Sequence, residues 1–79
     1  MAKYRKLPVV VKAVAWLGFE SGPHDLGIVP LRPGSDKGWM GTLEGGHEVT
    51  PGDFIITGVV GERYPCAPGV FELTYEPVE

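Results

Sequence analysis

The chain has 79 residues, a net charge of −3 and a single cysteine. One domain is all that length supports, with a thin core, since a chain this small buries only about 60–65% of its unfolded surface. The acidic balance excludes general binding to a phosphate backbone. The lone thiol excludes an intramolecular disulfide and fits a reducing compartment.

Lys3, Arg5 and Lys6 crowd the start and Glu72, Glu76 and Glu79 the end, which reads as two solvated termini. The start does not read as an export signal, because Lys12 interrupts the apolar run and no clear small-residue cleavage site follows. The run is also too short to span a bilayer. The expectation is a soluble protein with no membrane partner.

Pro8 to Trp16, "PVVVKAVAW", is the first element. Val9, Val11, Ala13 and Ala15 fall on one side of an extended chain, and Val10, Lys12, Val14 and Trp16 on the other. Both sides are mostly apolar, which predicts a central strand covered on both faces. Residues 18–38 then hold five Gly and three Pro. They predict an irregular loop with a short extended piece around Ile28 and Val29.

Trp39 to Asp53 reads as a hairpin. Trp39, Gly41 and Leu43 share one face, and Met40, Thr42 and Glu44 the other. Gly45-Gly46 is a two-residue turn, and His47 and Val49 lie on the return strand. Pro51-Gly52 fits the central positions of a type II turn, with φ > 0 at Gly52. The Asp53 carboxylate is placed to accept local backbone N–H bonds.

Phe54 to Val60 is a buried-type strand. A loop at Val60-Gly61 would pair Val59 with Glu62, Thr57 with Tyr64 and Ile55 with Cys66. Valine disfavours the left-handed conformations of a type I′ turn, so a looser turn or a bulge is expected there. Gly69 to Val78 alternates, with Phe71, Leu73 and Tyr75 on one face, and predicts a half-buried strand. A helical turn starting at Pro68 is the rival for its first residues. The fold class is therefore mainly β, with room for one short helix. The expected form is a small antiparallel sheet or partly open barrel with glycine-rich hairpins, all in one domain over residues 1–79.

The start "KYRKLPVVVKAVAW" and the end "LEGGHEVTPGDFIITGVVGERYPCAPGVFELTYEPV" resemble a group of small proteins of tailed phages and prophages that has no settled activity. That group shares a basic start, Pro, a Val-rich strand and Trp. Pro-Gly-Asp, an Ile-Ile run, a Gly turn, Tyr-Pro-Cys and a Phe-Glu…Thr-Tyr-Glu ending follow. The middle of this chain departs from the group, where many members carry a more helix-like insert, and Val60 stands at a position that is usually polar. The resemblance implies a phage origin, an accessory role and a place in the host bacterial cytoplasm.

No catalytic set emerges from the residues. A nucleophilic Cys66 needs a base. His24 and His47, with Asp25 or Asp53 to orient them, are not tied to it by spacing. Cys66 reads instead as a small apolar group at a strand end. His24, Asp25, His47 and Cys66 lack the close ligand pairs of a metal site. "GVVGER" and "LEGGHE" lack the helix and the Lys-Ser/Thr step of a phosphate loop. No cofactor is expected.

Aromatic residues beside cations carry more information. Trp39 and Tyr64 are the aromatic residues expected at the surface, and Arg32, Lys37 and Arg63 the donors. Together they could hold a nucleotide by stacking and phosphate contacts. The leading expectation is a binding protein without catalytic activity that counters host defence. It would sequester a nucleotide signal or block a host protein, and it would form a homo-oligomer. The alternatives are a virion structural or assembly protein and a thiol enzyme using Cys66.

Overall fold

The structure is a computed structural model that describes residues 2–4, 9–42 and 45–78. Among these residues it is mainly β, with two antiparallel three-stranded sheets and one short helix. The expected fold class holds, with no closed barrel among the described residues. The strands are β1 (Lys12–Ala15), β2 (Val29–Pro30), β3 (Gly38–Met40), β4 (His47–Val49), β5 (Phe54–Thr57) and β6 (Arg63–Cys66), followed by α1 (Pro68–Thr74). The first sheet has the order β1-β5-β6 and the second β2-β3-β4. Of the charged termini, Arg5, Lys6 and Glu79 lie outside the described residues.

β5 holds the centre of the first sheet because both of its faces are apolar. Ile55 and Ile56, which point to opposite faces, are both fully buried. Trp16, Met40, Val49 and Ile55 form one core cluster, with Phe19, Leu26 and Ile28 packed against it. That cluster joins the two sheets, and β4 also lies against β6. On the other face of the first sheet α1 covers the β5–β6 hairpin, with Phe71 stacked on Phe54 at 3.9 Å.

The first strand departs from expectation. β1 is an edge strand, not a central one, and Val9, Val10 and Val14 are exposed. Its Val-rich composition suits burial on both sides, but the chain already has β5 for that position.

The Pro51-Gly52 turn forms as expected. Gly52 has φ +102 and the Asp53 N–H donates to the Thr50 carbonyl at 2.9 Å. The Asp53 carboxylate accepts from the Thr50 N–H at 3.0 Å. Trp16 fastens this turn to β1. Its N–H donates to the Asp53 carbonyl at 2.9 Å, and its carbonyl accepts from the Gly52 N–H at 2.7 Å.

Both hairpin registers differ from the sequence reading. In the β5–β6 pair Thr57 faces Arg63, Ile56 faces Tyr64, Ile55 faces Pro65 and Phe54 faces Cys66. That is a shift of one residue. Gly58 pairs with Glu62 around a three-residue loop, Val59–Gly61, and the Gly61 N–H returns to the Gly58 carbonyl at 3.1 Å. Gly61, with φ +85, takes the left-handed bulge position that neither valine accepts. In the β3–β4 pair Met40 faces His47 and Gly38 faces Val49. Gly45 and Gly46 therefore end a longer connection instead of forming a two-residue turn. Leu43 and Glu44 of that connection lie outside the described residues.

The last element is a helix where alternation predicted a strand. Pro68 occupies the first turn, where its missing N–H costs nothing. Phe71 in the helix and Tyr75 at its C-cap meet at i,i+4, stacked at 5.2 Å, while Leu73 turns out to solvent and is 90% exposed. The Gly/Pro-rich segment 18–38 is irregular as expected, with β2 as its one extended piece, paired to β3.

Candidate ligand-binding face

The second sheet has a buried face and an open one. Along β3, Gly38 and Met40 are buried and Trp39 between them is 42% exposed. Strand alternation turns Trp39 away from the core. Register sets Val29 on one side of it and Glu48 on the other, and both are exposed. The indole lies over Gly46, where a Cβ would overlap the ring. Glycine there lets a flat aromatic face lie against the backbone.

Two of the three candidate cations belong to the same hairpin. Lys37 immediately precedes β3 and, two residues before Trp39, falls on the same side of the extended chain. Its carbonyl accepts from the Leu31 N–H at 3.0 Å, and its N–H donates to the Ser35 hydroxyl oxygen at 3.1 Å. Arg32 opens the turn across from it, with its carbonyl accepting from the Ser35 N–H at 3.0 Å. Both side chains are exposed. Arg32, Lys37 and Trp39 thus share one hairpin, whose tip carries two cations beside Asp36 and whose shaft is aromatic.

Arg63 and Tyr64 stand elsewhere. They are successive residues of β6 in the other sheet, so they point to opposite faces. Arg63 is exposed. The Tyr64 hydroxyl lies 3.3 Å from that of Tyr75, beneath α1. That bond, with burial adding to it, pushes the Tyr64 phenol up to about 12. Sequence reasoning missed this pair because it requires the helix that alternation concealed.

The residues weighed for chemistry are dispersed. The Cys66 thiol is half-buried and directed at the Ala67 carbonyl, 3.7 Å away. His24 is exposed, with Nε2 2.8 Å from the Phe19 carbonyl, and His47 is exposed on β4. Among the described residues no three His, Cys, Asp or Glu side chains converge as a metal site would need. No helix among them is long and apolar enough to cross a membrane.

An open cleft of about 670 Å³, mostly apolar but with Thr74 and Glu76 in its lining, lies between the chain around β1 and the end of α1. Val9, Val11 and Ala13 form one wall, and Phe71, Tyr75 and Val78 the other.

No protein-family model, curated protein or solved structure matches this chain.

Proposed function

We propose that this chain is a phage accessory protein that works by binding, and that the outer face of the β2–β3–β4 sheet captures a nucleotide-like anion in the host cytoplasm. The observation that carries this reading is Trp39, an indole held exposed over Gly46, with Lys37 and Arg32 at the tip of its own hairpin. An aromatic face takes a base at low entropy cost, and guanidinium and ammonium groups take phosphate. Glu48, opposite Trp39, supplies an acceptor for an exocyclic amino group, which favours a base that carries one. The net charge of −3 suits a small anion met by local cations more than a long nucleic acid. Sequestration of a nucleotide signal, as a counter to host defence, follows from that chemistry together with the resemblance to phage proteins.

Calorimetry of the intact chain against a panel of cyclic and linear nucleotides tests this. Binding is expected for at least one of them, and Trp39→Ala or the Arg32→Ala, Lys37→Ala pair should abolish it without altering the far-ultraviolet spectrum. No heat with any nucleotide, joined with recovery of the protein in purified phage particles, would replace this reading with a virion structural role.

A further inference from the structure

β1 has the composition of a central strand and the position of an edge strand. Between Val9 and Ala15 only Lys12 is charged. Lys12, Ala13 and Val14 are exposed, so neither face of the strand is covered at its middle. Among the described residues no strand pairs with its outer edge, since β1 ends the order β1-β5-β6. A largely apolar edge strand with open backbone groups is a template for pairing with another strand, and Lys12 is the one charge that stands against it.

The hydrogen-bonding phase of the edge follows from Trp16. Trp16 donates to Asp53, and its opposite number continues the β1–β5 register in which Val14 faces Ile55 and Lys12 faces Thr57. Residues 12, 14 and 16 therefore direct their backbone groups at β5. Val11, Ala13 and Ala15 direct theirs outward.

We infer that two copies of this chain pair antiparallel through β1, with the twofold axis beside Ala13. In this register Ala13 meets Ala13 of the partner subunit, and Val11 meets Ala15 of the partner subunit. All outward N–H and C=O groups at these positions find partners. Lys12 falls opposite Val14 of the partner subunit, so the one charge of the strand does not face its own copy. The result is one six-stranded sheet in which β1 becomes central, as its sequence requires.

The cleft supports the same occupant. Its floor is the α1-facing side of Val9, Val11 and Ala13, and α1 sits over β5 and β6. A twofold axis perpendicular to the sheet puts both helices on one side, and the two clefts meet at Ala13 and run from it in opposite directions. Val9, Val10 and Val78, which are 52%, 72% and 71% exposed, would line the outer reach of each cleft. An isologous contact of this kind closes on itself and leaves no free β1 edge. This surface lies on a different sheet from Trp39, so the inference stands independently of ligand capture.

Sedimentation of the intact chain over a range of concentrations, paired with residue-resolved hydrogen exchange, tests it. A mass twice 8.5 kDa is expected, with slowed exchange at the Val11, Ala13 and Ala15 amides that rises with dimer fraction. Ala13→Pro removes an outward N–H while leaving the β5 ladder untouched, and it should give a folded monomer. If that variant fails to fold, the wild-type exchange pattern still decides. A single-chain mass at a hundred micromolar would overturn the inference. So would a dimer whose Val11, Ala13 and Ala15 amides exchange as fast as in the monomer.

Discussion

Phe54 and Phe71 stack with ring centroids 3.9 Å apart and planes within 9° of parallel. This contact holds α1 onto the first sheet, because none of the helix residues is fully buried. Tyr75 extends the stack at 5.2 Å. Phe71→Ala should cost about 2–3 kcal/mol, below the range for a fully buried phenylalanine because the ring is half-exposed. Urea unfolding measures the loss, and amide exchange should show α1 opening first.

Gly52 supplies the left-handed position of the Pro51-Gly52 turn at φ +102. A side chain there would meet open space, so any penalty comes from the backbone alone. Gly52→Val should destabilise by about 1–3 kcal/mol. Because the Gly52 N–H also bonds the Trp16 carbonyl, indole fluorescence is expected to report the change alongside the unfolding midpoint.

The Tyr64 phenol, raised from 10.0 to about 12 chiefly by the Tyr75 hydroxyl and then by burial, links stability to alkaline pH. Its folded pKa lies above the unfolded value, so the fold favours the neutral phenol. That contribution is complete below pH 10 and is lost as the pH climbs through about 12. Tyr64→Phe should flatten the stability profile over this window. Thermal melts at stepped alkaline pH, with tyrosinate absorbance as the titration signal, would show a lost dependence or an unchanged one.

Cys66 faces Phe54 and contacts the backbone of Ala67. Cys66→Ala should lower stability by about 1 kcal/mol and leave nucleotide capture intact. A thiol that reacts with maleimide as fast as a free thiolate at neutral pH, with function lost in the variant, would instead support a thiol enzyme.

Local chemistry made some of this structure readable in advance. The turn at Pro51-Gly52-Asp53 depends on residues adjacent in sequence, so it was legible. The exposure of Trp39 also followed from its irregular surroundings. Strand position was not legible. Val9–Trp16 and Phe54–Val60 are both apolar on two faces, and only their competition for one central place assigns β5 to it. Hairpin registers depend on loop length, and the left-handed Gly61 sets a three-residue loop, Val59–Gly61, where the sequence reads as a two-residue one. Phe71 and Tyr75 satisfy both a strand alternation and a helical i,i+4 pair, and Pro68 tips that balance. For the site, the sequence suggested five residues, of which the fold gathers Arg32, Lys37 and Trp39 on one hairpin. Arg63 and Tyr64 are separated from them because β6 belongs to the other sheet.

The paired bonds between Trp16 and the Gly52-Asp53 turn have a topological consequence. They close the chain at the point where it leaves the first sheet and returns to it, so the whole second sheet is an excursion from one clamped neck. β5, β6 and α1 follow one another directly and can assemble through short-range contacts, whereas β1 must wait for the excursion to close. Formation of this neck is therefore expected to be the slow step of folding. The excursion is nonetheless not detachable, because Met40 and Val49 within it complete the core cluster with Trp16 and Ile55. The neck sets where the second sheet begins and ends, and the shared core sets how it folds back on the first.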